Sequence, residues 1–174
     1  QGAVGIGAHA GEVDVRGLRV RGGPGRCLAG VPVVQDRAYW ELHVAEVGDA
    51  EALLQVGLCA QGPDSQLLTK LGAVPRSFGV QLGGADGSSA VKTGDVIGVS
   101  YDQAVFPVAV EVWHNGVRMA VPPARGLKGE QWPAIFISNC VVDWALGEEH
   151  WKSAKSRPEG FNAIMPSRGL IGGN

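Results

Sequence analysis

The side chains best suited to chemistry in this chain are its three cysteines and four histidines, and they are widely spaced. They are Cys27, Cys59 and Cys140, with His9, His43, His114 and His150. A catalytic cysteine needs a base within hydrogen-bond distance. Cys59 and His43 could meet across strands, but no second base or oxyanion donor shares a face with Cys59. We therefore predict that the protein is not an enzyme, and a hydrolase remains the less favoured alternative.

The sequence gives equally weak signals for a metal site, a cofactor site and a nucleic-acid site. The histidines lack the spacing of metal ligands, and we expect His43 and His114 to be solvated. Residues 5–10 fit a Gly-x-Gly dinucleotide pattern but lack the preceding strand and following helix that such a site requires. Arg16, Arg19, Arg21 and Arg26 form a basic cluster without nearby aromatic residues, which favours a solvated strand edge. We predict no metal, no cofactor and no nucleic-acid partner.

The composition favours a packed globule. Hydrophobic residues make up 45% of the 174 residues, charged residues make up 18%, and the formal net charge is −2. Such a charge provides no general attraction to nucleic acid or to an anionic membrane. No apolar run reaches the length of a membrane-spanning helix. The charge and the apolar runs therefore predict no membrane partner. An odd number of distant cysteines indicates buried free thiols, from which we expect a cytoplasmic protein.

Short alternating segments predict a fold made almost entirely of β-strands. In residues 39–47, Trp40, Leu42 and Val44 occupy one face while Glu41 and His43 occupy the other. The 27 glycines and 10 prolines indicate many turns between short strands. Eight or more strands of this kind predict a sandwich or a barrel. We expect flexible tails at residues 1–12 and 167–174 around one domain at residues 13–166.

One hairpin is predicted in detail. Asn115 and Gly116 have the residue types preferred in a two-residue type I′ turn, in which both residues have positive φ. This turn pairs Trp113 with Arg118 and places Val112 on the core face.

Four segments in this order resemble motifs of the SPRY domain family. They are residues 38–44 (AYWELHV), 94–102 (GDVIGVSYD), 110–116 (VEVWHNG) and 125–134, which ends in Trp-Pro-Ala. The segments Gly-Arg-Cys-Leu-Ala at 25–29 and Pro-Glu-Gly-Phe at 158–161 resemble a small single-domain branch of the family. The resemblance implies a bent antiparallel β-sandwich of the SPRY/B30.2 type, with a concanavalin-like jelly roll. It also implies an adaptor whose loops at one end bind short peptides.

Loops held by a rigid scaffold are the best candidates for the peptide site. Amide side chains can donate and accept hydrogen bonds with a peptide backbone, and tyrosine adds apolar area. The candidate peptide-binding residues are Gln61, Gly62, Tyr101, Asp102, Gln103, Ser138 and Asn139. Of these, Ser138 and Asn139 correspond to a contact loop of the family. The alternative is a structural or assembly domain without a peptide ligand, and the oligomeric state is left open.

Overall fold

The computed structural model describes residues 4–62, 69–85, 89–153 and 157–166. Ten antiparallel strands account for about half of these residues, with one short 3-10 helix at Glu148–His150. The strands are β1 (Ile6–Arg16), β2 (Arg19–Ala29), β3 (Arg37–Val47), β4 (Leu53–Cys59), β5 (Ser77–Gly83), β6 (Val96–Asp102), β7 (Ala109–His114), β8 (Val117–Arg118), β9 (Trp132–Ser138) and β10 (Cys140–Ala145). The predicted all-β fold is confirmed.

The strands form one curled sheet in the order β5-β4-β9-β2-β10-β3-β6-β7-β8, with β1 beside β2. Residues 25–28 of β2 pair with β9, whereas residues 19–22 of the same strand pair with β10. β2 and the β9–β10 segment therefore pass together through a bend that divides the sheet into two layers. The first layer contains β4 and β5, and the second contains β3, β6, β7 and β8. This is the bent antiparallel sandwich that was expected.

The backbones of β2 and β9 approach each other closely at the bend, and this explains the residue types found there. A Cβ atom on Gly23 would lie 2.3 Å from the Cα of Ser138, so a larger residue does not fit there. Asn139, between β9 and β10, has φ of 59°, a left-handed conformation that asparagine tolerates better than most residues. The two strands can therefore bend together without losing their register.

Apolar side chains from both layers fill the space between them. Trp40, Leu42 and Val44 of β3 are almost fully buried in this core, as the alternation in the sequence predicted. Leu54 and Val56 of β4 enter the same core from the other layer. A smaller apolar cluster around Leu28, Leu71 and Phe136 lies outside this core. Burial of both clusters provides the main driving force for folding.

The predicted tail at residues 1–12 is wrong in its second half, because β1 begins at Ile6. Small residues in this segment allow it to lie tightly against β2. A Cβ atom on Gly7 would be 2.9 Å from the Cα of Gly30, and Ala8 and Ala10 contact the smaller apolar cluster. The expected tail at 167–174 lies outside the described residues.

The hairpin between β7 and β8 is confirmed. Asn115 and Gly116 have φ of 52° and 84°, and Trp113 pairs with Arg118 as predicted. Val112 is fully buried in the core.

Candidate functional site

The seven predicted peptide-binding residues lie in two separate places. Ser138 pairs with Leu53 at the start of β4, whereas Gln61 and Gly62 follow Cys59 at the other end of that strand. At about 3.4 Å per residue, the length of β4 separates these positions by about 20 Å. The strand register therefore does not allow all the predicted loops to converge.

The remaining candidates lie on the same side as Gln61. The side-chain amide of Gln103 donates to the Val33 carbonyl, and the Val33 N–H donates to the carbonyl of Gln131, which precedes β9. Because the first residue of β9 pairs with Cys59, Gln61, Gly62, Tyr101, Asp102 and Gln103 share one end of the sandwich, which we call the Gln103 end. Asn139 lies at the bend, on the opposite side of the molecule.

Most polar groups at the Gln103 end already have partners. Asp102 contacts Arg37 Nε at 3.2 Å and accepts the Ala104 N–H at 2.8 Å. Gln103 donates to two carbonyls of the neighbouring loop. Tyr101 is 1% exposed, and burial raises the pKa of its hydroxyl to about 12. Tyr101 is therefore a core residue in the unbound protein, and Asp102 and Gln103 shape the loops around it.

A groove lined mainly by apolar residues lies beside β7, near this end. After β8, Met119 N–H donates to the Val112 carbonyl at 2.8 Å, and then the chain turns away from β7. Pro122 and Pro123 have no N–H group and cannot extend the ladder. The gap has a volume of about 400 Å³. It lies between residues 107–111 and 118–124, and its lining includes Val108, Val110, Met119 and Val121.

The backbone of Val110 faces this groove. In an antiparallel ladder, residues alternate between hydrogen bonding to one neighbour and to the other. The Met119–Val112 bond shows that Val112 directs its carbonyl away from β6, so Val110, two residues earlier, does the same. Within the described residues, no backbone hydrogen bond joins Val110 to residues 119–124. The N–H and carbonyl of Val110 are thus available for a further strand.

An exposed aromatic side chain lies next to the groove. Phe106 is 99% exposed and Val105 is 43% exposed, while the following residue, Pro107, forms part of the groove wall. Beside an apolar groove, these side chains extend one contiguous apolar surface, and such a surface is a candidate binding site. In the sequence, these residues belong to an apolar stretch directly after Gln103. That pattern alone does not distinguish an exposed loop from a buried strand.

A second region, on the outer face of β3, is organised around the buried carboxylate of Glu41. Glu41 is fully buried and accepts hydrogen bonds from Tyr39 Oη, His43 Nε2 and the N–H groups of Lys152 and Ser153. Burial alone would raise the pKa of Glu41, but these hydrogen bonds outweigh it and lower the pKa. His43 is 7% exposed, so the expectation that it is solvated is wrong. The segment after β10, through Lys152 and Ser153, covers the Glu41 carboxylate beside His43.

The cysteines lack the environment of a nucleophile. Cys27, Cys59 and Cys140 are free and buried, and burial raises the pKa of each thiol, to about 12 for Cys27 and about 11 for Cys140. Cys59 belongs to the smaller apolar cluster of the first layer, so it does not meet His43 on β3 of the second layer. Arg26 lies close to Cys59 and is 1% exposed, so it is not part of a solvated edge. Thiols that are buried and protonated in this way are poor nucleophiles.

Among the described residues, no group of three or more His, Cys, Asp or Glu side chains is arranged to hold a metal ion. No helix among them is long and apolar enough to cross a membrane.

Comparisons with known proteins agree with the fold. No family model matches the chain. SPRY domain-containing protein 7 of chicken and of human are each 26% identical over 155 residues, covering 82% of this chain and 72% of those proteins. The SPRY domain of human HERC1 superposes with a TM-score of 0.53 at 14% identity, over 74% of this chain and 87% of that one. The NHR domain of Drosophila melanogaster Neuralized superposes with a TM-score of 0.51 at 13% identity, over 81% of this chain and 86% of that one. The chain is therefore similar in sequence to SPRY domain-containing protein 7 and has the curled antiparallel fold of SPRY and NHR domains.

Proposed function

We propose that this chain is a non-catalytic adaptor module that binds a short extended segment of a partner protein along β7. SPRY domains are typically protein-interaction modules and are generally non-catalytic. The observation that carries the proposal is the uncovered backbone of Val110 beside an apolar groove. The cytoplasmic location expected from the free cysteines remains a prediction.

An extended peptide suits this groove because it can add a strand to the open edge of β7. Its backbone would pair with the N–H and carbonyl of Val110, which provides affinity for many sequences. Alternate side chains of a strand point to the same face, so every second residue of the peptide would enter the groove. The apolar lining therefore favours a segment with small or branched apolar residues at alternate positions.

Asp102 and Gln103, which were predicted from the sequence, hold the loop that borders the groove. Asp102 holds the N–H of Ala104, and Gln103 ties the start of the same loop to residues 33 and 35. This loop carries Phe106, which would close over a bound segment and exclude water. Contact with Gln61 and Gly62 at this end stays part of the proposal to be tested. The predicted site at Ser138 and Asn139, at the bend, is the alternative location that the variants below test.

Selection from a displayed peptide library, followed by fluorescence polarisation, tests the proposal. We expect binders with dissociation constants in about the micromolar range and weak salt dependence, because few charges line the groove. Ala120→Trp introduces a large side chain at an exposed position in the groove wall and should weaken binding about tenfold or more. Phe106→Ala should weaken it less.

Matched variants locate the site. Ala50→Trp makes the same change at an exposed position near the bend, and Val117→Ala truncates another exposed apolar residue, so both should bind normally. Loss of binding with Ala50→Trp or Asn139→Arg, but not with Ala120→Trp, would move the site to the bend and contradict the groove. A library that yields no binder, together with a concentration-dependent mass, would favour the structural or assembly alternative.

A further inference from the structure

The long strand β1 forms an edge of the sheet. It pairs with β2 along one side, and within the described residues no strand lies along its other side. An edge strand displays a row of unpaired N–H and carbonyl groups, which can pair with another chain. This edge is separate from the β7 groove, because β1 joins the sheet at β2 whereas β7 follows β3 and β6 in the strand order.

The backbone of Val15 points toward this open edge. The Trp144 N–H donates to the Leu18 carbonyl at 2.8 Å, so Leu18 is directed toward β10. Because residues of a strand alternate between their two neighbours, Arg19 is directed toward β1, where it pairs with Arg16. Arg16 is therefore directed toward β2, and Val15, the residue before it, is directed away from β2. In the described part of the chain, no backbone hydrogen bond joins Val15 to a segment outside this hairpin.

The side chains of β1 give the edge one apolar face and one charged face. Val13 and Val15 pack against the core and stay partly exposed. Asp14 and Arg16 lie on the other face, where their side chains are 56% and 83% exposed and Arg16 Nε lies 3.0 Å from Asp14 Oδ2. An exposed ion pair of this kind contributes little to the stability of the fold. Both charges can therefore also interact with a partner without loss of stability.

The order of charges along β1 is self-complementary about Val15. When two copies of the strand lie antiparallel with the two Val15 residues opposed, Asp14 of each copy faces Arg16 of the other. Opposed residues share a face, so two ion pairs form between the copies, and the two Val15 residues exchange two backbone hydrogen bonds. A pair centred on Asp14 would oppose two carboxylates, and one centred on Val13 would oppose Glu12 to Asp14. The charges therefore favour the register centred on Val15.

We propose that β1 binds a second copy of this chain through an antiparallel β1–β1 pair centred on Val15. The same surface is used by both copies, so the assembly is a closed dimer with twofold symmetry. Charges usually protect an edge strand from pairing, whereas the Asp-Val-Arg order at residues 14–16 repels other registers and attracts this one. Because the contact is short, we expect a weak dimer with a dissociation constant of about 10–500 µM.

Sedimentation velocity at protein concentrations from about 5 µM to about 1 mM measures this association. Asp14→Lys and Arg16→Glu each place like charges opposite each other in both ion pairs, so each variant should self-associate at least about tenfold more weakly than the parent. In an equimolar mixture of the two variants, position 14 of one variant faces position 16 of the other with opposite charge. The mixture should therefore associate about as strongly as the parent.

Glu12→Lys is the matched control. It makes the same change from carboxylate to ammonium on the same strand, but in the proposed register this position opposes Leu18 of the second copy. Its dissociation constant should differ from that of the parent by less than about threefold. All three variants should have melting temperatures close to that of the parent in dilute solution, because the substituted side chains are exposed.

Amide hydrogen exchange at Val15, measured by NMR, gives a second readout of the pairing. Exchange of this amide should become slower as the protein concentration rises through the dissociation constant, because the N–H then donates to the second copy. In Asp14→Lys the rate should not depend on concentration. An exchange rate that stays constant in the parent while the mass rises would place the interface elsewhere.

Several other results would overturn the inference. A parent protein that stays monomeric at about 1 mM would exclude the dimer. A dimer that tolerates Asp14→Lys and Arg16→Glu, or a mixture of these variants that does not associate, would show that β1 is not the contact. Equal effects of Glu12→Lys and Asp14→Lys would contradict the register. All three variants should bind peptides like the parent, so none of these results bears on the β7 groove, whose test uses Ala120→Trp.

Discussion

Replacing Glu41 with glutamine tests whether a buried carboxylate holds the segment after β10 against the sheet. Oε1 accepts from His43 Nε2 and the Lys152 N–H, each at 2.8 Å. Oε2 accepts from Tyr39 Oη at 2.8 Å and from the Ser153 N–H at 3.2 Å. An amide nitrogen is best tolerated at the Oε2 position, because the tyrosine hydroxyl can reverse and accept. The Ser153 N–H cannot reverse, so that hydrogen bond is lost.

The expected destabilisation follows from these contacts. The remaining hydrogen bonds change from charge-assisted to neutral, at roughly 1 kcal/mol each, and the lost one costs another 1–2 kcal/mol. The amide also avoids the cost of burying a charge, which offsets part of this loss. We expect Glu41→Gln to lower the free energy of unfolding by about 2–3 kcal/mol at neutral pH. For a chain of this size, that corresponds to a melting temperature lower by about 5–10 °C.

The pH dependence identifies the carboxylate as the cause. Because the pKa of Glu41 is lower in the folded protein than in the unfolded chain, its stabilising effect is complete above the unfolded pKa. That effect declines as the pH falls below the unfolded pKa and disappears as the pH falls through the lower folded pKa, so the stabilities of parent and variant should converge in acid. Asp95 and Asp143 also have lowered pKa values, but they titrate in both proteins and cancel in the difference.

Chemical denaturation at a series of pH values measures this difference. Glu130→Gln removes an exposed carboxylate and should change stability by less than about 0.5 kcal/mol. Trypsin should also cut faster after Lys152 in Glu41→Gln, because the covering segment is released. A Glu41→Gln protein that is as stable as the parent at pH 7, or a difference that does not change with pH, would refute the role given to Glu41.

Three further predictions concern the core and the cysteines. Val112→Ala should destabilise the protein by about 1–3 kcal/mol in denaturation, and the exposed Val117→Ala by less than about 0.5 kcal/mol; similar values would mean that the faces of the hairpin are misassigned. Gly98→Ala places a Cβ atom 2.4 Å from Tyr39 Oη, so its melting temperature should fall clearly, and an unchanged value would show that Tyr39 moves freely. Mass spectrometry should find all three cysteines unbridged, slow to react with alkylating agents in the native protein and fully reactive after denaturation; a bridged pair would contradict this.

Local patterns allowed much of the fold to be predicted. The alternation of Trp40, Leu42 and Val44 identifies a strand and its buried face because the side-chain period of a strand is two residues. Asn115 and Gly116 fix a hairpin because their types alone satisfy the turn. The start of β1 was missed because glycine and alanine give little apolar signal, although their small size allows Ala8 and Ala10 to pack against the neighbouring strand.

The arrangement of the candidate site depended on pairing between distant segments, which no local pattern contains. Gln61 and Asn139 both follow apolar strands, but the antiparallel pairing of β4 with β9 places them at opposite ends. His43 occupies a polar position in its strand, yet residues 152 and 153 cover the carboxylate beside it. The groove exists because β8 is short and the chain then turns away from β7, which becomes visible only when the ladder is complete.

Amide hydrogen exchange at Val110, measured by NMR with and without a selected peptide, tests the proposed binding mode most directly. In the free protein this amide has no described backbone partner in the groove, so it should exchange faster than the amide of Glu111, which pairs with β6. A peptide that adds a strand to β7 should slow exchange at Val110 by at least about tenfold. Protection of Val110 on binding, abolished in Ala120→Trp, is the result that strand addition predicts. A peptide that binds without changing Val110 exchange, while protecting residues at the bend, would contradict it.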